Sequence, residues 1–266
     1  MLALLAVTLF TACGNDDEPD NKQTFTAPIN CRAIDGDEVV FSQGTSKVEV
    51  DFTNMNINFV SDYKDSHGQS HSLTTPDMKL TSASSSAYQF DQTTASSVYQ
   101  FTASAGQPGS TMIESLGGYI DMATGMMWYT INTGSGEVVC TSHLLYAYTN
   151  TTITNPDNNN HGTHQHSAYL FVPDAKGETC IMQISNFVSN LNGSVDAPEV
   201  QYQELTLTPT VTGYTITADK AESSYKGYFT LTDVNIILDD QCRVINGSFK
   251  CNGLEFTLSG GLFSYN

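Results

Sequence analysis

Apolar and polar residues alternate in short runs along this chain, and the alternation changes parity at two similar places. In Lys47-Val48-Glu49-Val50-Asp51-Phe52 the apolar residues fall at 48, 50 and 52 and the polar ones at 47, 49 and 51. A strand sends successive side chains to opposite faces, so this run predicts a half-buried strand. After Thr53-Asn54 the pattern resumes at Met55, Ile57 and Phe59 with its parity reversed. A bulge or tight bend at 53–54 would produce that reversal. Later Cys180, Met182 and Ile184 alternate, Ser185-Asn186 intervenes, and Phe187 starts the other parity. Charged residues make up only 14% of the 266 residues. Long surface helices carry many Glu and Lys, so this composition also favours strands and turns.

The two runs belong to a longer correspondence. Val50 to Met55 matches Met182 to Phe187, and Met78-Lys79-Leu80 matches Leu205-Thr206-Leu207. Tyr88-Gln89-Phe90 matches Tyr214-Thr215-Ile216, and Leu116 to Ile120 matches Ile245 to Phe249. Ordered matches at a nearly constant offset predict an internal duplication. The expected fold is therefore all-β, with two similar antiparallel domains, each a barrel or a sandwich. The first domain is expected over 25–149 and the second over 167–266. Asn155-Pro156-Asp157-Asn158-Asn159-Asn160 suits neither a strand nor a helix interior, so 150–166 reads as a linker.

Each copy is expected to end in a hairpin. Asn252-Gly253 is a two-residue turn needing φ > 0 at both positions, and it sets Cys251 opposite Leu254 and Phe249 opposite Phe256. In the first copy Ala123-Thr124-Gly125 reads as a three-residue loop, with Ile120 facing Trp128 and Met122 facing Met126. That register puts Tyr119, Met127, Tyr129 and Ile131 on the second face, so either both faces are covered, burial being the commoner cause, or Tyr119, Met127 and Tyr129 offer a candidate contact surface to a partner.

The first residues indicate where the chain works. Leu2 to Phe10 is apolar, too short to span a bilayer and suited to the core of a secretory signal. Leu9-Phe10-Thr11-Ala12-Cys13 resembles a bacterial lipobox. The resemblance implies a signal peptide over 1–12, lipid such as palmitate on Cys13, and a tether over 13–24. Such a signal ordinarily opens on Lys or Arg, and Met1 leads straight into Leu2, so the true start is expected upstream or the chain to be trimmed. Asp16-Asp17-Glu18 resembles the surface-export signal of lipoproteins in Bacteroidota, which implies a lipid-anchored protein of the outer membrane facing outward. No second apolar run approaches the length of a membrane-spanning helix.

Lys plus Arg total 10 and Asp plus Glu 28, a net charge of -18. Such a surface repels phosphate backbones and anionic headgroups, so nucleic acid is not expected as a partner and membrane attachment falls to the acyl chains. Of the 6 cysteines, lipidation of Cys13 leaves Cys31, Cys140, Cys180, Cys242 and Cys251, an odd number. With the last turn at Asn252-Gly253, residues 242–251 form one strand, so Cys242 and Cys251 are expected not to be bonded.

The strand end Ile184-Ser185-Asn186-Phe187, the run Val200 to Thr208, Gly213-Tyr214-Thr215-Ile216 and the Ile245 to Leu258 hairpin resemble the calycin-like domains of Bacteroidota surface lipoproteins. The resemblance implies up-and-down strands closing into small barrels, with lipocalin-like binding of small molecules. It supplies no functional residue.

Histidines are the remaining candidates. His161, His164 and His166 lie within six residues, and on a strand His164 and His166 would share a face and could share zinc, copper or nickel. His67 and His71 form a second patch. The competing reading of both is a solvated polar loop. Asp35-Gly36-Asp37-Glu38 and Asp239-Asp240 read as hairpin turns rather than calcium loops. No nucleophile elbow, zinc-protease or phosphate-loop motif occurs. The expectation is a non-catalytic envelope protein with no resident cofactor, binding a small molecule or glycan, or else a structural or adhesive surface protein.

Overall fold

The structure, a computed structural model, describes residues 21–83, 98–104, 113–122, 125–134, 136–142, 145–148, 150–164, 167–240 and 244–259. Regular structure among these residues is entirely β. The chain divides into two compact units, one of Met1–Asp35 and Gln43–Ser142, the other of Gly36–Ser42 and His143–Asn266.

The first sheet contains β1 (Lys22–Asp35), β2 (Glu38–Asp51), β3 (Asn56–Lys64), β4 (Ser70–Thr74), β5 (Met78–Lys79), β6 (Thr81–Ser82), β7 (Val98–Ser104), β8 (Ile113–Asp121), β9 (Met127–Thr133) and β10 (Gly136–Ser142). Neighbours along the chain are neighbours in the sheet, and β10 returns to pair with β1. The remaining join is made by one short stretch. Met78 and Lys79 pair with β3, Leu80 N–H donates to Met55 O at 2.8 Å, Thr81 and Ser82 pair with β7, and Ala83 N–H donates to Val98 O at 2.9 Å. Pairing thus passes from β3 to β7, and the sheet closes into a ring with no free edge there.

The second sheet contains β11 (Leu145–Tyr148), β12 (Asn150–Thr154), β13 (His161–His164), β14 (Ala168–Pro173), β15 (Thr179–Phe187), β16 (Ala197–Thr210), β17 (Gly213–Ala221), β18 (Leu231–Asp239), β19 (Val244–Cys251) and β20 (Leu254–Ser259). β14 to β20 pair in chain order, β11 pairs with β14, and β12 pairs with both β13 and β20. β11 and β12 are consecutive pieces of chain, so this ring also closes between its last strand and its first. Both units are thus antiparallel, barrel-like meanders.

Alternation fills each ring with the apolar faces. In the first, Ile29, Val48, Ile57, Phe59, Phe101 and Ile131 are buried. In the second, Met182, Ile184, Tyr202, Ile216, Phe249 and Phe256 are buried in one cluster. Phe249 stacks on Phe256 at 4.6 Å between ring centroids, and Phe256 on Phe187 at 6.3 Å. Burying each such side chain contributes about 1.5–3 kcal/mol.

The local signals explain the bends. Residues 52–55 form the tight turn between β2 and β3, with Asp51 Oδ1 accepting from Thr53 N–H at 2.9 Å and Asn54 N–H at 2.8 Å. Asn186 takes φ 53 within β15, which returns Phe187 to the interior beside Ile184. Asn252 and Gly253 take φ 52 and 77, and β19 pairs with β20 in the expected register, Phe249 opposite Phe256 and Cys251 opposite Leu254.

Five expectations need correction. Residues 150–166 are not a linker: β12 and β13 pair with each other, and the units divide at Ser142–His143. The Asn-rich segment is the hairpin turn between them, where Asn155 and Asn158 side chains accept from the N–H groups of Asp157 and Asn160. The flanks, with few apolar residues, hid the strands. Lys22 to Thr24 belong to β1 rather than to a tether.

The first domain does not end at the 123–125 hairpin, because β9 goes on to pair with β10. The loop of that hairpin is also longer than expected. Asp121 N–H donates to Met126 O, and the register sets Ile120 opposite Met127 and Tyr119 opposite Trp128. One extra loop residue exchanges the faces, so Met127 and Tyr129 turn inward.

The duplicated units are present, but the strand equivalence read from sequence is partly displaced. Met78–Leu80 and Leu205–Leu207 do occupy equivalent fourth segments of their rings. The Val50–Met55 match pairs the end of a second strand with a third, and the Leu116–Ile120 match pairs a sixth strand with a seventh. Period-2 patterning repeats in every strand, so a slide by one strand still scores as similarity. The Tyr88–Phe90 match lies outside the described residues.

Candidate functional site

Successive strands reverse direction, so β12, β15, β17 and β19 all end at the same end of the second ring. Their loops form its rim: Asn155–Asn160, 188–196, 222–230 and Asn252-Gly253. The 188–196 loop folds over this end. Asp196 is its organiser, accepting from Ser189 N–H at 2.5 Å, Ser189 Oγ at 2.8 Å and Asn190 Nδ2 at 3.0 Å. Asn252 Nδ2 donates to Ser189 Oγ at 3.4 Å, tying the loop to the last turn. Beneath it Phe187 and Val188 are buried. The interior at this end is therefore occupied by the protein's own side chains.

The 222–230 loop is built to hold aromatic rings outward. Tyr228 N–H donates to Tyr225 O at 2.9 Å, making a turn with Gly227 at φ 80 in its third position. Glycine suits that position because a Cβ disfavours left-handed backbone. Ser223 Oγ lies 2.9 Å from Tyr225 O and 2.5 Å from Tyr228 O, and accepts from Tyr225 N–H at 3.1 Å. Thr230 Oγ1 donates to Glu222 Oε2 at 2.8 Å across the loop base. Ser224 N–H donates to Gln201 O at 2.8 Å, anchoring the loop to β16.

Phe229 has φ 56, a conformation that costs a bulky residue roughly 1–2 kcal/mol. It is held there from two sides. Tyr202 Oη donates to its carbonyl at 2.9 Å, and its ring meets Phe187 edge to face at 5.2 Å. Burial pushes the Tyr202 hydroxyl well above the usual tyrosine range, keeping it a proton donor to that carbonyl. The strained backbone presents Tyr225 and Tyr228 to solvent, 42% and 70% exposed, with Val195 of the 188–196 loop 52% exposed. Exposed aromatic faces on a pinned turn, with hydroxyls at their tips, can stack on an apolar ring face and hydrogen-bond at its edge.

The residues singled out from sequence are not brought together at this rim. Met127 and Tyr129 are fully buried, while Tyr119 is half-buried and packs against Trp128 at 5.7 Å. Tyr129 Oη instead meets Ser46 Oγ at 3.0 Å and Ser61 Oγ at 2.6 Å, a satisfied polar cluster inside the first ring. A contact surface of Tyr119, Met127 and Tyr129 is thus excluded.

His161 begins β13 on the second ring's rim, exposed, with Nδ1 3.4 Å from Asn159 O. His164 pairs through its backbone with Thr151, and His166 lies outside the described residues. Among the described residues no group of three His, Cys, Asp or Glu side chains is placed to hold a metal ion. His71 Nε2 lies 2.8 Å from Asp65 Oδ2 and its ring stacks on Tyr63 at 5.3 Å, while Asp65 also accepts from His67 N–H. That patch is a structured turn. Cys13 and Cys242 lie outside the described residues, and Cys251 is a buried free thiol.

A concavity of about 430 Å³ lies on the outer face of β16 to β18, lined by Thr206, Thr217, Asp219, Asp233 and Asn235 among others. It sits on a cross-strand row of small polar side chains, Thr206 opposite Thr217 and Thr217 opposite Asn235. One of its carboxylates is already paired, Asp233 with Lys250 at 2.9 Å.

Comparison with protein-family models and with curated proteins gives no match. The rim tyrosines were missed in the sequence because the loop has no alternation. The signal was nevertheless there: three aromatics around Gly227 in Tyr225-Lys226-Gly227-Tyr228-Phe229. A glycine turn that carries several rings must leave some of them outside the core.

Proposed function

We propose that the chain is a non-catalytic lipoprotein of the cell envelope that binds a glycan or similar small molecule at the rim of its second ring. The observation that carries this reading is the pair of exposed tyrosines on a turn whose backbone is strained and fixed from beneath. Side chains held in that way lose little entropy on binding. The filled interior argues for a rim site over a lipocalin-like cavity. The net charge of -18 favours neutral or amine-bearing ligands over anionic ones. Attachment through lipid on Cys13, to the outer membrane and facing outward, rests on the Leu9 to Cys13 run and the acidic residues after it.

The test is a glycan array followed by calorimetry on the best saccharide. Tyr225→Ala and Tyr228→Ala should each weaken binding about 10-fold or more while lowering the unfolding temperature by no more than about 5 °C, the loss of one ring contact with Phe229. A saccharide that binds the double variant as well as wild type would overturn the rim site. Anchoring is tested separately, since labelled palmitate should enter wild type and not Cys13→Ala. The filled rings favour a second reading, a structural or adhesive surface protein, which a flat array with retained cell-to-cell adhesion would support.

A further inference from the structure

We propose that Cys31 and Cys140 are an oxidisable pair whose disulfide fastens the first ring at the seam where it closes. The seam is the pairing of β1 with β10, and Cys31 stands directly opposite Cys140 in that register. Both side chains are fully buried, and their Sγ atoms are 3.2 Å apart. Directly opposed residues on antiparallel strands have Cα atoms about 4.5–5.5 Å apart, inside the range a disulfide spans. Forming the bond needs a small approach of the sulfurs and no change of register.

The position matters more than the proximity. Every other join of this ring is between chain neighbours or is made by Met78–Ala83, whereas β1 and β10 are its first and last strands. The two cysteines are 109 residues apart. A cross-link between them turns the ring's least local contact into a covalent one, where removal of chain entropy from the unfolded state is largest. The second ring places Ile153 opposite Phe256 at its own closing seam, so it has no equivalent.

The chemistry is thiol–disulfide exchange with an external disulfide, for which glutathione disulfide is the probe. One protein thiolate attacks it, forming a mixed disulfide and releasing one glutathione thiolate. The second protein thiolate displaces the other. One S–S bond breaks and one forms, the two protein thiols give up two protons and two electrons, and two glutathione thiols result. Both sulfurs are buried in the closed ring, so exchange occurs before closure or on opening, and the finished bond is shielded from reductant. An oxidising compartment, which the envelope reading supplies, is needed in the cell but not in the tube.

The experiment uses the full chain, unfolded and refolded in mixed oxidised and reduced glutathione, then alkylated and digested for mass spectrometry. The expected result is a peptide pair linked through Cys31 and Cys140, resistant to dithiothreitol until denaturant is added. By calorimetry one unfolding transition should fall by roughly 10 °C when the chain is refolded under reductant. The Cys31→Ala/Cys140→Ala variant should lose that dependence on reductant. Recovery of Cys31 and Cys140 separately alkylated, or linked to other cysteines, would overturn the proposal, as would persistence of the reductant effect in the double variant.

Discussion

Replacing Phe187 with alanine removes the ring that joins the rim of the second unit to its core. The side chain is 1% exposed, meets Phe229 at 5.2 Å and stacks on Phe256 at 6.3 Å. Loss of transfer energy together with the cavity left behind places such a truncation at about 3–5 kcal/mol. The aromatic pairing, about 0.5–1.5 kcal/mol per contact, is part of that sum and puts the expectation near 4 kcal/mol. For a unit of this length each kcal/mol moves the midpoint by about 3 °C, so the transition should fall by about 12 °C. Phe187→Leu keeps most of the volume and should cost less than about half as much. Differential scanning calorimetry of the full chain is the assay, and one transition only should move, since each unit owns a core. A shift below about 3 °C, or an equal shift of every transition, would mean that Phe187 does not hold the rim of one unit to its core.

Two further predictions address the first unit. In Gly118→Ala the added Cβ would overlap the Trp128 carbonyl and the Tyr129 backbone, which cannot rotate away; a loss of about 2–4 kcal/mol is expected in denaturant titration, against about 1 kcal/mol for Gly253→Ala, which meets only backbone strain. The hydrogen bond from His71 holds the Asp65 carboxyl below its usual range, helped by the N–H groups of Gln69 and His67. A depressed carboxyl stabilises the fold above its unfolded pKa and loses that contribution as pH falls through the folded value. His71→Ala should therefore raise the Asp65 midpoint in an NMR titration and move the acid limb of thermal stability to higher pH; an unchanged midpoint would refute the coupling.

What the sequence revealed depended on whether a local rule was strong enough to stand alone. Asn252-Gly253 was legible because few other residues accept φ > 0 twice in succession, and the register of β19 with β20 followed from it. The hairpin at 121–126 was not, because a loop one residue longer is equally compatible with the glycine and reverses which face Met127 and Tyr129 take. β12 and β13 were hidden because Thr and His flank the asparagine turn where apolar alternation would have marked strands. Closure of the rings was expected only through the resemblance to calycin-like domains, since no local pattern marks a contact that joins Cys31 to Cys140 and Ile153 to Phe256 across about a hundred residues of chain. The candidate site depends on tertiary support: Tyr225 and Tyr228 become a platform only because Tyr202 and Phe187, distant in sequence, hold Phe229 in place.

Amide hydrogen exchange at the seams reports whether the two rings close. In a closed ring the amides of β1 and β10, and those of β12 and β20, are paired as fully as the central strands. Amides paired across the Cys31–Cys140 and Ile153–Phe256 seams should exchange as slowly as those between β17 and β18. Fast exchange at both seams, with protection kept in the central strands, would mean open sheets and would contradict closure.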